Sequence, residues 1–135
     1  MTTILKNIRF QKLDQFNNPV FICNQKEKNI YKKLTKFASQ LQSQFEDCFL
    51  PIYHSIEHEY CTIRLRKNTQ IDKLKLKQND RVDMSFSVKR KKTNNKIYVN
   101  CVLKSIKLVS RTLPLDYGSD VELYDVNTDE DTDEE

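Results

Sequence analysis

The sequence predicts a mainly β domain with one amphipathic helix, an α+β arrangement, followed by an acidic tail. Three features indicate this: polar and apolar residues alternate between Tyr60 and Val109, one earlier segment has helical periodicity, and the C-terminus contains acids without bases. A chain of 135 residues has the size of a single domain. We therefore predict one domain over residues 1–115 and a disordered tail over residues 116–135.

The N-terminal part predicts short strands and then a helix. Strand-like residues flank the turn signal Asn17-Asn18-Pro19, with Ile4, Ile8 and Phe10 before it and Val20 to Cys23 after it. A helix is predicted over about 27–47, because its apolar residues follow a 3.6-residue period. These residues are Ile30, Leu34, Phe37, Ala38, Leu41 and Phe45. Pro51 should prevent the helix from continuing.

The segment from Tyr60 to Val109 predicts long strands with one apolar face. Apolar residues occupy every second position, and this parity reverses between Leu103 and Ile106, which is the effect of a β-bulge. Residues 91–95 are expected to form the loop of a hairpin. Bent strands with one packed helix favour a small β-barrel with the helix closing one end, and an OB-fold-like barrel is the leading candidate.

Composition excludes several functional classes. The chain has one glycine, Gly118, which excludes glycine-rich phosphate loops, dinucleotide-binding turns and nucleophile elbows. No apolar stretch is long enough to span a bilayer, so we expect no membrane association. The N-terminus shows no secretory signal. We therefore expect an intracellular protein whose four cysteines are reduced thiols.

The charges separate along the chain. Arg111 is the last basic residue, and ten acidic residues without any base follow it. Residues 1–115 hold 23 basic and 9 acidic residues, a charge of +14, against −10 in residues 116–135. A strongly basic domain predicts a polyanionic partner, and the acidic tail predicts a tethered competitor for the same surface.

Strand geometry is expected to gather cations and aromatic rings on one face, because residues i and i+2 of a strand lie on the same side. The polar sets are Tyr60, Thr62, Arg64 and Arg66 on one strand, and Lys96, Tyr98, Asn100 and Lys104 on another. Further cations are Lys89, Arg90, Lys91 and Lys92 in a cationic loop, and the alternating Lys73, Lys75 and Lys77. Rings that stack on bases, surrounded by cations that neutralise phosphates, are what single-stranded nucleic acid requires. The alternative is that this face is only a solvated basic surface.

The excess of lysine over arginine favours diffuse phosphate attraction over base reading, and so weak sequence preference. Residues 89–92 also match a nuclear-import pattern.

A zinc site is an alternative function for a second group of residues. Cys48, His54, His58 and Cys61 are suitable ligand types for tetrahedral zinc, although their spacing is not that of a standard finger. His54 to His58 also match the H-x-x-E-H motif of inverted zinc proteases, which requires a helix. Cys61 belongs to the inward set of its strand, which favours a buried thiol instead. We therefore expect no metal, no cofactor and no catalytic residue.

The pattern from Lys75 to Val88, followed by a Lys-rich turn and by residues 96–103, resembles the OB-fold core of virus- and phage-encoded single-stranded DNA-binding proteins. The Asp/Glu-rich C-terminus resembles the tail of those proteins, and together the similarity covers roughly residues 60–135. The resemblance implies non-catalytic coating of single strands during replication or recombination. It also implies that the tail contacts a polymerase or helicase, in a host nucleus or cytoplasm.

The sequence leaves several alternatives open. Single-stranded DNA is the expected ligand, with RNA as a second one; the oligomeric state stays open, with a homodimer as one option. The competing function is a protein-interaction module or histone-like chaperone, in which the acidic tail binds a basic partner. A zinc-dependent domain or hydrolase is the third hypothesis.

Overall fold

The computed structural model describes residues 2–111, which form a mainly β fold of six strands and two helices. In chain order these are β1 Thr2–Leu13, β2 Pro19–Asn24, α1 Lys28–Gln44, β3 Ile52–Ser55, β4 Tyr60–Arg64, α2 Thr69–Leu74, β5 Arg81–Thr93 and β6 Lys96–Ser110. All neighbouring strands pair antiparallel in one sheet of order β3-β4-β2-β1-β5-β6. The mainly β prediction is therefore confirmed. The predicted tail, 116–135, lies outside the described residues.

Two isolated bridges join β6, at one edge of the sheet, to segments that flank β3 and β4. Phe49, just before β3, forms a parallel bridge with Tyr98 of β6, and Leu65, just after β4, forms one with Cys101. The Phe49 N–H donates to the Ile97 carbonyl at 2.9 Å, and the Arg66 N–H donates to the Cys101 carbonyl at 3.0 Å. Segments far apart in the sequence are thereby brought side by side.

The alternation read from the sequence places side chains as expected. The inward residues of β4 and β5, such as Cys61, Ile63, Val82, Met84 and Phe86, are buried. They join one hydrophobic core with the apolar face of α1, where the rings of Phe37 and Phe86 lie 5.6 Å apart. Helix α1 packs against β1 to β4 and covers this core.

The predicted bulge is present in β6. Ser85 pairs with Ser105 and Phe86 pairs with Leu103, so Lys104 is an extra residue without a partner on β5. One extra residue reverses the face of all that follow. Ile106 therefore lies opposite Met84 on the core side, which explains the reversal of parity in the sequence.

Helix α1 is slightly shorter than the predicted range 27–47. Its C-cap is Phe45, whose N–H donates to the Leu41 carbonyl at 2.8 Å, and Asp47 takes a left-handed φ of 58°. The helix thus ends well before Pro51, because the chain must turn to bring Phe49 onto β6. Neither described helix is long and apolar enough to cross a bilayer.

Asparagine takes the backbone conformations that glycine usually supplies. Gly118 lies outside the described residues, and five of the eight residues with positive φ are asparagines. Asn94 and Asn95, with φ of 50° and 65°, form a two-residue turn between β5 and β6. Positive φ at both positions is the signature of a type I′ hairpin turn, which asparagine tolerates better than most residues. The predicted hairpin is present, but its loop is shorter than 91–95.

Two elements were missed by the sequence analysis. Strand β3 is only four residues long, and helix α2 only six. Helix α2 begins after Asn68, whose side chain accepts the Gln70 N–H at 2.7 Å, and it ends at Lys75 in a left-handed conformation. Such short elements have too few residues to show a period.

Candidate nucleic-acid interface

The β5–β6 hairpin divides the predicted cations between its two faces. Lys91 lies opposite Tyr98, and Lys89 lies opposite Asn100. Directly opposed residues in an antiparallel pair share a face, so both lysines lie beside the Tyr98 ring. Arg90 and Lys92, opposite Val99 and Ile97, occupy the other face. All four cations are exposed.

The Tyr98 ring stacks on Phe49. The two ring centroids are 5.0 Å apart with an interplanar angle of 20°, and the Lys96 Nζ lies 5.7 Å from the Phe49 centroid. Phe49 is 50% exposed, whereas Tyr98 is less exposed and only partly accessible to solvent. The sequence analysis missed Phe49, because only the bridge to β6 places it beside Tyr98.

A second aromatic group surrounds Tyr60 on the outer face of β3 and β4. Its ring centroid lies 6.2 Å from that of Tyr53 and 6.3 Å from that of His58. Tyr60 is half-buried, but Tyr53 is 60% exposed. Tyr53 was missed because β3 was not predicted.

An open depression of about 160 Å³ adjoins this group. Its lining comes from the end of β1 to the start of β2, from the segment 50–53, and from β4: Asp14, Val20, Leu50, Pro51, Ile52, Tyr53, Thr62 and Arg64. Arg64 is half-buried at the end of β4. The segment 49–53 therefore links the stacked Phe49 ring to the depression and to Tyr53.

Lys104 and Arg66 lie outside the regular strand pairing on which their predicted positions depended. Lys104 is the bulged residue of β6 and has no partner on β5. Arg66 lies beyond the end of β4, where its N–H donates to the Cys101 carbonyl. Both side chains are exposed.

Lys73, Lys75 and Lys77 lie at the other end of β5. Lys73 is in α2, Lys75 caps it, and the Lys77 N–H donates to the Asp80 carboxylate at 2.9 Å, so the expected strand-like alternation of these lysines is wrong. The run from Arg81 to Lys92 in β5 spans roughly 36 Å at about 3.3 Å per residue. Lys75 and Lys77 therefore lie near the start of β5, at the end opposite to the hairpin turn and its lysines.

Three arginines of the described residues form ion pairs within the fold. Glu27 accepts Arg9 at 2.8 Å and Arg81 at 2.9 Å, and Asp80 accepts Arg111 at 3.1 Å. Burial raises the pKa of Glu27, but hydrogen bonds from both arginines and from the Asn24 N–H lower that pKa by more, leaving it below its ordinary value. These arginines tie β1, β5 and the start of α1 together.

The Cys48, His54, His58 and Cys61 group does not form a metal site in the part of the chain that the structure describes, where no three potential ligands converge. His54 Nε2 is 2.9 Å from the Tyr31 hydroxyl, and His58 Nδ1 is 3.2 Å from the Ser55 hydroxyl. Cys61 is fully buried, which confirms the prediction of a buried thiol, and this burial raises the pKa of the thiol to about 12. His54 lies on β3 and not on a helix, so the H-x-x-E-H segment lacks the geometry of a protease motif.

Comparison with known proteins adds no relative. No family model matches the sequence, and a search of curated proteins found no significant similarity. The resemblance to viral single-stranded DNA-binding proteins therefore stays a prediction.

Proposed function

We propose that this protein binds single-stranded DNA with little overall sequence preference, as a non-catalytic coat during replication or recombination. The observation that carries the proposal is the stacked pair of Phe49 and Tyr98 among the lysines of the hairpin. RNA is the second ligand on the same chemical grounds, since every base offers a face for stacking.

The physical basis is the combination of rings and cations. Stacking of a base on an aromatic ring contributes about 1–3 kcal/mol, and it is tolerant of sequence. Lys89, Lys91 and Lys96 lie on the same face as Tyr98 and are exposed, so they can neutralise phosphates on either side of a stacked base. The half-exposed Phe49 ring adds a second aromatic surface beside Tyr98.

The topology supports an OB-like barrel as the scaffold. Strands β4, β2, β1, β5 and β6 are consecutive in the sheet, and parallel bridges bring the segment after β4 to β6. Such an order suits a five-stranded barrel of the OB type, whose sheet face and loops bind single strands. The long helix precedes β3 and β4, and it packs on the core.

The acidic residues 116–135 are proposed to compete with DNA for the basic surface and to recruit partners such as a polymerase or helicase. A tethered carboxylate-rich segment has a high effective concentration at its own domain, and phosphates would displace it. The competing hypothesis, a histone-like chaperone, uses the same tail without any nucleic-acid affinity in the domain.

The test is binding of fluorescent oligo(dT), measured by anisotropy. Tyr98→Ala and Phe49→Ala should each weaken binding by about tenfold, the scale of one lost base stack. Lys96→Ala should cost less, because one exposed cation contributes a single screened contact. Lys33→Ala, which removes an exposed cation from α1, and Ile56→Ala, which removes an exposed apolar side chain, are the controls.

Two outcomes would count against the proposal. Wild-type protein that does not bind oligo(dT) at low salt would favour the chaperone hypothesis. Equal losses for Tyr98→Ala and Lys33→Ala would indicate attraction by net charge without a stacking site.

A further inference from the structure

The depression beside β4 combines an apolar floor with a small set of polar groups at its rim. Val20, Leu50, Pro51 and Ile52 supply the floor, while Thr62, Arg64 and Asp14 supply polar groups. Its cavity volume of about 160 Å³ is below that of typical ligand pockets, so the site has room for no more than one small planar group such as a base. Tyr53, on the same rim, is largely exposed.

Arg64 has hydrogen-bonding capacity to spare at this site. Within residues 2–111 its guanidinium makes no hydrogen bond or close ion pair, although the side chain is half-buried at the pocket wall. Arg9, Arg81 and Arg111 have such partners, which sets Arg64 apart from them. A guanidinium has five N–H donors in a fixed plane and always carries its charge.

Asp14 holds a negative charge close to Arg64. Its Oδ1 accepts the N–H groups of Phe16 at 2.8 Å and Asn18 at 2.9 Å. Burial raises the pKa of Asp14, while these hydrogen bonds and the Arg64 charge lower that pKa by more, so the group stays ionised at neutral pH. The Asp14 carboxylate attracts the Arg64 guanidinium electrostatically. The two groups form no close ion pair, so the N–H donors of Arg64 stay available.

We propose that this pocket binds one nucleobase of the single strand, and that it favours guanine through paired hydrogen bonds from Arg64 to the guanine O6 and N7 atoms. The inference rests on the proposed function, and it adds a local base preference to otherwise sequence-tolerant binding. The apolar floor contacts the base, and the Tyr53 ring lies where it can cover the base edge or a neighbouring base.

Guanine fits the chemistry better than the other bases. Arginine donates two parallel hydrogen bonds, and among the major-groove edges of the four bases only that of guanine presents two adjacent acceptors, O6 and N7. Adenine places an amino donor beside N7, where it opposes the guanidinium. Thymine presents a single acceptor, O4, on the corresponding edge, so it would leave one donor of the pair unused.

The experiment compares two oligonucleotides of about 12 nucleotides, within the site size of one OB fold. One is oligo(dT), and the other carries a single central dG in the same context. Competition against labelled oligo(dT) should give at least about fivefold tighter binding of the dG oligonucleotide, the lower range for a bidentate arginine–guanine contact. A single dA in place of dG should give no such gain.

Arg64→Lys is the matched variant, because it keeps the charge and removes the paired donor geometry. It should abolish the dG preference and retain binding of oligo(dT), whereas Lys33→Ala, which removes an exposed cation from α1, should retain both. The wild-type comparison decides the point even if Arg64→Lys does not fold. Equal affinity for the dG and dT oligonucleotides overturns this inference alone. Absence of binding to every oligonucleotide overturns the proposed function itself.

Discussion

At the scale of single residues, Glu27 connects parts of the chain that lie far apart in the sequence. Its carboxylate receives Arg9 from β1 and Arg81 from β5, and its own residue forms the N-cap of α1. The Glu27 side chain is only 17% exposed. Loss of its negative charge would therefore leave both Arg9 and Arg81 without their ion-pair partner. This carboxylate therefore anchors the helix to the sheet.

Glu27→Gln should lower the free energy of unfolding by about 1–3 kcal/mol at neutral pH, because charged hydrogen bonds become neutral ones. The folded-state pKa of Glu27 lies below its ordinary value of 4.5, so its contribution is complete above that value. The contribution is lost as the pH falls through the lower folded-state pKa. Urea denaturation of both proteins between pH 7 and pH 3 measures the difference.

The stability difference between wild type and Glu27→Gln should therefore shrink as the solution becomes acidic. Glu57→Gln, which alters an exposed carboxylate in the β3–β4 turn, serves as the control. A difference that is constant across this pH range would mean that Glu27 acts through packing and not through its charge.

At the scale of elements, the β5–β6 hairpin decides which cations lie beside Tyr98. Its register follows from the two-residue turn at Asn94–Asn95, since one residue more or less would exchange Lys91 and Lys92 between the faces. Sequence alternation located both strands but not the length of the turn. Asparagines substitute here for the glycine that such turns usually contain.

Asn95→Val should destabilise the fold by about 1–2 kcal/mol, because a β-branched residue is strained at positive φ. Asn95→Gly should leave stability unchanged or raise it slightly, since glycine suits the second position of a type I′ turn. Thermal unfolding measures both variants. Thr93→Val, a change to the same residue at a neighbouring strand position, should have little effect. Similar losses for both valine variants would argue against a turn-specific cause.

At the scale of the whole molecule, charge is divided between residues 1–115, with +14, and residues 116–135, with −10. All 23 basic residues fall within residues 2–111, and much of their charge lies on the hairpin and around α2. The logarithm of the association constant for oligo(dT) should fall linearly with the logarithm of the salt concentration. Competition between the acidic residues and DNA for the basic surface should likewise weaken as salt screens the charges.

Deletion of residues 116–135 should tighten binding of oligo(dT) at low salt and change it little at high salt. A chain whose ten acidic residues are replaced by asparagine and glutamine separates charge from length, and it should behave like the deletion. Anisotropy titrations at two salt concentrations provide the measurement. Unchanged or weaker binding after deletion would contradict the competitor role of the tail.

Local periodicity was sufficient for much of the fold because it depends on neighbouring residues alone. The apolar spacing in 27–47 indicated α1, and the parity reversal after Leu103 indicated the bulge at Lys104. Only one ring of each aromatic pair in the candidate site could be predicted from the sequence. Tyr60 and Tyr98 followed from alternation, but Phe49 and Tyr53 lie in segments with no readable period.

The sequence by itself determined the mainly β class, the long helix, the inward and outward sets of each long strand, and the separation of basic from acidic segments. Only the tertiary structure decided that Phe49 stacks on Tyr98, that Lys75 caps a short helix far from the hairpin turn, and that Arg64 borders a pocket. The reason is that periodicity fixes the direction of a side chain relative to its own backbone. Contacts between distant segments depend instead on how the sheet curls and which strands meet.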